Sequence, residues 1–545
     1  MLQVTGFGVS NLRAIRESGV VDLRPINILV GKNSAGKSTF ARVLPLLKQS
    51  SERRKQAPVL WFGRLVDFGS FSDVISSFAT DETVDLTLRL VGPSVIFFNR
   101  RWDRQAEPAN PLGSTIDICM KLGSEAEDGR TVLRELTVKI VGRTVKIAIQ
   151  SPREIAVTLD DEIVLPPAGS RFILGQGAII PLLRPLYMAQ APSINVRDEV
   201  FFNRDHREQV GIVEMRRAIS AFVHGNTLDE RKDEIGERLP VAPITEFLHV
   251  CKTLVSAPDT WHTNFAGITE RSPRLLKLQG AAVIQKLPAL LYEIDEAIGA
   301  FCVGVSYLEP LRATAQRYYR REEVSTDELD PKGLNTTFFL QGLSARDRDS
   351  LNAWLNDAFG FTLTVKSFGG HSSLQIRTKL DGPSRNMADV GLGYSQIVPV
   401  AIQLWVASRK LGVRVPASLA RSENFAPARR TASSIVVVEQ PELHLHPAYQ
   451  AKLADVFAAC VKDNRAATAA QNRDRVGVQL VAETHSPNLI NRLGELISEG
   501  RLIPDDVQVL VFEEDETMIG ATKIRIAQFN ESGVLTNWPV GFFDY

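Results

Sequence analysis

The sequence has few cysteines, no excess of charge of either sign and no long apolar run. Its four cysteines are scattered without a CxxC pair, so neither a disulfide framework nor a cysteine-ligated zinc site is expected. Lys+Arg and Asp+Glu balance at 63 each, so a surface that binds polyanions would have to be a local patch. The first residues lack the apolar core of a signal peptide, and apolar runs such as 397–406 are too short and interrupted to span a bilayer. We therefore expect a cytoplasmic protein that does not associate with a membrane.

The composition is that of a protein with a sizeable core, at 44% hydrophobic and 23% charged residues in a chain of 545. Residues 2–13 and 26–30 have the pattern of strands, and a run of short strands between 84 and 149 predicts an antiparallel lobe. Helical periodicity dominates from about 196 to 301, and strand patterns return after 361. The predicted fold is α/β, in three parts: residues 1–190, a helical insertion at 191–305, and residues 306–545.

The most specific motif is a phosphate-binding loop at 31–39, which fits G-x-x-x-x-G-K-[ST] between a predicted strand and a predicted helix. Its glycines let backbone N–H groups and the helix N-terminus face phosphates. Lys37 is predicted to reach the β- and γ-phosphates, and Ser38 to offer its hydroxyl to Mg²⁺. ATP and Mg²⁺ are thus the predicted cofactors, and the predicted loop contacts are Gly31, Asn33, Ser34, Ala35, Gly36, Lys37, Ser38 and Thr39.

Three segments farther along the chain accompany this loop. The apolar strand 435–438 ends at Glu439, as a Walker B strand presents its acid to Mg²⁺, and continues as Gln-Pro-Glu-Leu-His-Leu-His-Pro. The apolar strand 479–482 leads into Glu-Thr-His-Ser at 483–486. Residues 389–396 form a glycine- and serine-containing turn that opens a helix.

In order, these segments resemble the P-loop, signature, Walker B, D-loop and switch histidine of ABC-type ATPases. They are most similar to the RecF/SMC/OLD-like group, whose heads are often labelled AAA-type ATPase domains; the segment 307–312 also looks like an element of that group. The resemblance implies an ABC-type P-loop head that sandwiches ATP between two copies, so at least a homodimer. It further implies that Glu439 holds Mg²⁺, that His485 contacts the γ-phosphate, and that Gly391, Gly393 and Ser395 cap the nucleotide of the opposite copy.

One residue departs from the pattern of this group. The position after the Walker B acid is usually a glutamate that polarises the attacking water, and here it is Gln440. An amide can orient water but is a poor base, whereas Glu442, two residues on, could take over the role. We predict slow turnover or ATP held as a clamp, with Gln440 and Glu442 both candidates.

Two other residue sets carry weaker hypotheses. His444 and His446, together with His485, could bind a metal, but no further ligand is spaced to join them and the D-loop resemblance accounts for the first two. A metal other than Mg²⁺ is therefore not expected. Gln49 is either a Q-loop residue or a residue on a helix surface.

The resemblance also bears on biological role. OLD-type members carry a Toprim nuclease after the head, but only 60 residues follow His485, and no HNH, PD-(D/E)xK or Cys/His signature is evident in the middle of the chain. We therefore expect any nuclease to be a separate chain. The sequence looks similar to the ATPases of Septu anti-phage systems, including retron-associated forms, which partner an HNH nuclease; the ATPases of PARIS systems, which hold a Toprim effector, come second. The implied function is a sensor and scaffold subunit that controls a separately encoded nuclease, with a retron reverse transcriptase–DNA complex or another nucleic acid as a further partner.

The alternative is a RecF/SMC-like ATPase that clamps DNA during repair, which requires a basic stripe across the paired heads. Candidate residues lie at 53–55, 320–321 and 429–430, and each such set is more often a solvated surface. A transporter ATPase is disfavoured, because the insertion and the HLHP segment suit the soluble group.

Overall fold

The computed structural model describes residues 2–52, 57–96, 113–125, 129–151, 154–165, 172–175, 177–185, 210–320, 328–378, 382–409, 434–469, 477–518 and 520–538. Within these ranges a 16-stranded sheet runs through the molecule, accompanied by a two-stranded and a four-stranded sheet. The mixed α/β architecture predicted from the sequence is thereby confirmed.

The strands are β1 (Gln3–Leu12), β2 (Ile15–Glu17), β3 (Val21–Asp22), β4 (Ile26–Gly31), β5 (Val84–Gly92), β6 (Ser114–Ser124), β7 (Thr131–Ile140), β8 (Arg143–Ser151), β9 (Glu154–Leu159), β10 (Glu162–Leu165), β11 (Phe172–Gly175), β12 (Leu182–Pro185), β13 (Val305–Leu308), β14 (Tyr319–Arg320), β15 (Thr362–Phe368), β16 (His371–Arg377), β17 (Arg385–Asn386), β18 (Ser434–Glu439), β19 (Val478–Glu483), β20 (Val507–Glu514), β21 (Thr522–Phe529) and β22 (Leu535–Thr536). The α-helices are α1 (Lys37–Ala41), α2 (Val43–Ser51), α3 (Phe71–Val74), α4 (Ile212–Ser220), α5 (Asp229–Arg238), α6 (Ile244–Thr253), α7 (Asp259–Phe265), α8 (Pro273–Val303), α9 (Thr336–Gly342), α10 (Ala345–Phe359), α11 (Leu392–Arg409), α12 (Pro447–Ala469) and α13 (Pro487–Ser498).

The parallel part of the large sheet has the order β20-β4-β19-β18-β13. Each of these strands is apolar and buried along almost its whole length, as expected for parallel strands that are covered on both faces. In the register of the sheet, Glu483 at the end of β19 lies beside Leu29 of β4 on one side and beside Glu439 of β18 on the other. The carboxyl ends of β4, β19 and β18 therefore meet at one edge.

A buried asparagine fixes the register of β4 against its two neighbours, β19 and β20. Asn27 of β4 is fully buried, and its amide donates to the carbonyl of Leu480 in β19 at 2.9 Å. On the other side, the Gln508 amide of β20 donates to the Asn27 side-chain oxygen at 2.6 Å. Because a buried polar group is costly unless it is hydrogen-bonded, a shift of either neighbouring strand would be penalised.

The antiparallel lobe lies at the other end of the large sheet, where β1 and β5 to β10 pair in the order β10-β9-β8-β7-β6-β5-β1. In β5 buried and partly exposed residues alternate without exception, as expected for a sheet with one face in the core. The lobe predicted from residues 84–149 is confirmed. Within the predicted run of strands, one is expected at 94–99; the structure describes only residues 94–96 of it, where Ile96 bridges to Val241.

Helices α4 to α8 form the helical region that the sequence predicts, and its predicted first residues lie outside the described part of the chain. The 31-residue helix α8 connects this region to the head. Its first half packs in a separate core, and its second half packs in the core of the large sheet. In that second half the Asp295 carboxylate accepts three backbone N–H groups, from Ala178, Ile179 and Ile180, which fixes α8 to the chain before β12.

The remaining helices, α9 to α13, surround a second core on the opposite face of the parallel strands. Alternate residues of β4 serve the two cores: Ile26, Ile28 and Val30 face this second core, and Leu29 faces the first. Among the described helices, none is both long and apolar enough to cross a membrane.

Candidate nucleotide-binding site

The predicted phosphate-binding loop is the turn between β4 and α1. Gly31, Ser34 and Gly36 all have positive φ angles, of 156°, 64° and 83°. A Cβ at Gly31 would lie only 2.6 Å from the carbonyl oxygen of Phe512, so the close approach of β20 requires glycine there. Asn33 and Ser34 are exposed, and the partly buried Ala35 precedes the start of α1. The predicted loop residues therefore form one continuous tight turn that leads into a helix N-terminus.

Lys37, the first residue of α1, is buried against this loop. Its ammonium group donates to the carbonyls of Gly31 at 2.9 Å and Lys32 at 2.7 Å, and lies 3.9 Å from a carboxylate oxygen of Glu483. Burial lowers the pKa of Lys37, and the nearby Glu483 partly opposes this shift. A cation is thus held inside the curve of the loop, where a polyphosphate would provide stronger partners than two carbonyls.

Ser38, the predicted magnesium ligand, contacts a carboxylate that the sequence hypothesis did not assign. Its hydroxyl donates to Glu483 at 2.6 Å. Glu483 is 4% exposed, and burial raises its pKa, with the negative charge of Glu439 adding to the shift. The carboxylate in contact with the P-loop serine is therefore at the end of β19, the strand next to the P-loop strand.

Glu439, the predicted Walker B acid, lies one strand farther away and is bound by other side chains. Arg42 donates to both of its carboxylate oxygens, each at 2.7 Å, and the Tyr307 hydroxyl donates to one of them at 2.8 Å. The backbone carbonyl of Glu439 accepts a further hydrogen bond from Arg312 at 2.7 Å. Glu439 is only 1% exposed, so these bonds compensate for burying its charge.

Arg42 reaches Glu439 from a break between α1 and α2. The sequence predicts a helix starting at Ser38 that Pro45 kinks or shortens. Pro45 cannot donate to the carbonyl of Ala41, four residues earlier, and the structure has its break at Arg42, between Ala41 and Val43. The prediction is confirmed. Arg42 occupies the break, and from there its side chain extends to Glu439 at the end of β18.

Gln440 and Glu442, the two candidates for activating water, have different environments. Gln440 has a φ of 43°, a rare conformation for a non-glycine residue, and its backbone N–H donates to the carbonyl of Glu483 at 2.8 Å. Glu442 is buried, and its carboxylate accepts the backbone N–H of His485 at 2.7 Å. Burial raises the pKa of Glu442. Glu442 thus connects the turn after β18 to the turn after β19.

His485, the predicted switch histidine, is exposed immediately after β19. Its pKa is lowered by partial desolvation of the ring and by the positive charge of Lys37. A neutral imidazole near Lys37 is therefore favoured at neutral pH. His444 and His446 are also exposed, on the turn before α12. Among the described residues, no group of three His, Cys, Asp or Glu side chains is arranged to hold a metal ion by itself.

The predicted signature residues lie at the start of α11. Gly391 is exposed, and apart from its chain neighbours no atom of the described residues lies within 4 Å of a Cβ built there. A Cβ at Gly393 would lie 3.0 Å from the carbonyl oxygen of His444, so this glycine allows α11 to approach the turn after β18. Ser395 is buried, and its hydroxyl accepts the backbone N–H of Ala315 at 3.2 Å. Within one copy, the serine stabilises the start of α11 and is not offered to solvent.

Gln49 is buried near the end of α2, and its side-chain amide makes four hydrogen bonds with backbone groups of residues 60–66. It therefore organises that loop. Of the candidate basic residues, Arg320 is exposed on β14, whereas 53–55, Arg321 and 429–430 lie outside the described residues.

Two residues of this site were missed by reasoning from the sequence, namely Arg42 and Glu483. A signal for Glu483 was present, because β18 and β19 are both short apolar strands that end in a glutamate, and parallel strands end at the same edge. No local pattern marks Arg42, whose partner Glu439 is 397 residues away.

Comparisons with known proteins give two family matches. Residues 316–490 match the model described as "AAA ATPase domain", and residues 502–544 match "Protein of unknown function (DUF3696)". The first match covers about a third of the chain and contains the predicted signature, Walker B and switch segments, whereas the predicted P-loop lies outside it. No curated protein matches the sequence.

Similar solved structures include two Smc head domains. One is the Smc head with an extended coiled coil bound to the C-terminal domain of ScpA from Pyrococcus furiosus, at 8% identity and a TM-score of 0.33 over 96% of each chain. Another is the Smc head with a coiled coil and joint from Pyrococcus yayanosii, at 10% identity and a TM-score of 0.34 over 98% of each chain. At these values the structural likeness adds nothing to the assignment, which rests on the family match: the C-terminal part of this chain is similar to AAA ATPase domains.

Proposed function

We propose that this protein is an ABC-type ATPase of the RecF/SMC-like kind, which binds ATP with Mg²⁺ and hydrolyses it slowly. The observation that carries the proposal is the P-loop between β4 and α1, with Lys37 held inside it and Ser38 beside a carboxylate. The residues fit a magnesium–nucleotide complex, which needs a positive charge for the phosphates and a hydroxyl with a carboxylate for the metal. Bound Mg²⁺ would neutralise charge on the phosphates.

In this proposal each residue has a defined task. Lys37 exchanges its contacts with the loop carbonyls for the β- and γ-phosphates, and Ser38 holds the metal. His485, exposed and favoured as a neutral imidazole, contacts the γ-phosphate. Gln440 orients the attacking water without acting as a base, so turnover is slow. Glu442 is engaged with the backbone of His485 and acts by positioning that residue.

We further propose that two copies enclose the nucleotide, with the start of α11 from one copy facing the P-loop of the other. The exposure of Gly391, and the space that the described residues leave around it, support such an approach. The first turn of a helix has N–H groups without partners inside the helix, which suits a phosphate at the start of α11. Ser395 then supports this surface from inside, through its bond to Ala315.

The biological role that we propose is a sensor and scaffold subunit of a bacterial anti-phage complex, which controls a separately encoded nuclease of the HNH type. The support is the sequence resemblance to Septu ATPases and the helical region α4 to α8. That region has a hydrophobic core of its own, so it can serve as a docking arm without disturbing the head.

Two measurements test the proposal. The purified chain should bind ATP, release phosphate slowly and dimerise on adding ATP, as followed by light scattering. Expression with its neighbouring genes, followed by pull-down and mass spectrometry, should recover a nuclease in stoichiometric amount. Recovery of the chain alone, with ATP-dependent and salt-sensitive retention of DNA, would instead favour the DNA clamp.

A further inference from the structure

Two buried carboxylates, Glu439 and Glu483, end neighbouring strands at the edge where the P-loop begins. The sequence pattern assigns magnesium to Glu439. The two side chains differ in what they contact, and this difference decides which of them can accept a cation.

The negative charge of Glu439 is already compensated by an arginine. Both of its oxygens are occupied by the Arg42 guanidinium at 2.7 Å, and one of them also accepts from Tyr307. A cation at Glu439 would have to displace a bidentate Arg–carboxylate pair, one of the stronger polar contacts in proteins. It would also leave Arg42 beside a second positive charge.

Glu483 is in direct contact with the residue that holds the metal in P-loop proteins. The oxygens of Ser38 and Glu483 lie 2.6 Å apart. Two neighbouring oxygen ligands around Mg²⁺, each at about 2.0–2.1 Å, lie about 3 Å apart. The two side chains therefore need to separate by only a few tenths of an ångström, while the Ser38 hydroxyl keeps its proton and turns it away from Glu483 so that both oxygens face the metal.

The surroundings of Glu483 agree with this assignment. Lys37 lies 3.9 Å from it, so a metal on the carboxylate would be adjacent to the group that binds the phosphates. A magnesium–nucleotide site needs only one or two protein ligands, since phosphates and waters supply the rest. The pair Ser38 and Glu483 meets this requirement without any other His, Cys, Asp or Glu side chain.

We infer that Glu483, and not Glu439, is the carboxylate that binds the divalent cation of the nucleotide together with Ser38, while Glu439 anchors Arg42. This inference rests on the proposed ATP binding.

The test is a magnesium titration of the full-length chain at a fixed concentration of a fluorescent ATP analogue, with a parallel binding curve in EDTA. Glu483→Gln should weaken the apparent affinity for magnesium by about 10- to 100-fold and leave metal-free nucleotide binding intact. Glu439→Gln should change the magnesium affinity less and lower the melting temperature more. Glu513→Gln, on the strand that flanks β4 on its other side, is the matched control and should change neither.

The outcomes distinguish a failure of the proposed ATP binding from a failure of the metal-ligand assignment. If the unchanged protein binds no nucleotide in either condition, the proposed function itself is wrong. If it binds, and the magnesium affinity falls with Glu439→Gln but not with Glu483→Gln, the metal belongs to Glu439. Should Glu483→Gln fail to fold, Glu483→Asp keeps the charge with a shorter reach. This variant should bind magnesium more weakly, and the larger Mn²⁺ should restore part of the lost metal affinity. Unchanged magnesium affinity in this variant would overturn the inference.

Discussion

The two ends of the large sheet bury very different residues. Among the described residues of β5 to β10, the Asp, Glu, Lys and Arg side chains are all partly or fully exposed, and the buried positions are apolar or small and uncharged. At the carboxyl edge of the parallel strands, by contrast, Lys37, Arg312, Glu439, Glu442 and Glu483 are each less than 9% exposed. Buried charge costs free energy, so its concentration at one edge indicates that this edge, and not the lobe, is organised for chemistry.

The largest expected difference between the two ends concerns nucleotide binding. Lys37→Ala removes the positive charge from the loop and should weaken ATP affinity by more than about 100-fold, since a charge-assisted contact to phosphate is lost in a buried site. Lys146→Ala removes a partly exposed lysine of the lobe that pairs with Asp161, and should leave the affinity unchanged. Isothermal titration calorimetry measures both, with melting curves to verify folding. Equal losses of ATP affinity in the two variants would contradict a functional difference between the carboxyl edge of the parallel strands and the antiparallel lobe.

The next comparison concerns stability, through two arginines that each bind a carboxylate with two hydrogen bonds. Arg42 binds the buried Glu439, and Arg89 binds Asp117 on the partly exposed face of the lobe. Arg42→Ala leaves a buried charge without its main partner and should cost about 3 kcal/mol of unfolding free energy. Arg89→Ala should cost less than about 1 kcal/mol. Urea denaturation of both variants checks this, and a smaller loss for Arg42→Ala than for Arg89→Ala would contradict it.

The contrast also explains how much could be predicted from the sequence. The P-loop, the strands that flank it and the alternation of β5 depend on neighbours within a few residues, so local pattern suffices, and the fold class followed from them. Long-range pairing is not encoded locally. The Ser38–Glu483 and Arg42–Glu439 contacts span 445 and 397 residues, and only the register of the sheet determines which carboxylate lies beside which P-loop side chain.

Ser395 shows a second limit of the same kind. The glycine–serine turn correctly predicted a helix start, but whether the serine faces solvent or the interior depends on what packs against α11. The segment before β14 supplies the N–H of Ala315 there, and no spacing in the sequence specifies that contact. The role of this serine toward an opposite copy therefore stays a prediction.

Within the edge itself, the comparison is between Gln440 and Glu442. Gln440→Glu places a base directly after Glu439 and should raise the rate of phosphate release by about tenfold or more, since general-base catalysis typically contributes at least about 100-fold. Glu442→Gln keeps an acceptor for the backbone of His485 and should lower the rate only modestly. Steady-state phosphate release measures both. If Gln440→Glu leaves the rate unchanged and Glu442→Gln abolishes it, Glu442 is the base and our assignment is wrong.

The smallest expected effect tests whether a partly buried charge outside the carboxyl edge must signal function. Lys286 of α8 lies far along the chain from the P-loop, and burial lowers its pKa to about 8, with Glu237 partly opposing the shift. Between pH 8 and about 10.5 the unfolded chain binds more protons at this lysine, so its contribution to stability rises with pH and is lost as the pH falls. Lys286→Met should therefore raise the melting temperature at pH 7 by about 2 °C and leave ATP affinity unchanged.

The control for this last variant is Lys277→Met, which replaces an exposed lysine on the same helix and should not change the melting temperature. The advantage of Lys286→Met over the unchanged protein should also shrink at pH 10, where the native lysine is largely neutral. If Lys286→Met instead weakens ATP binding, burial of charge outside the carboxyl edge also serves the nucleotide. The helical region would then be coupled to the head through α8, because this one helix packs in both cores.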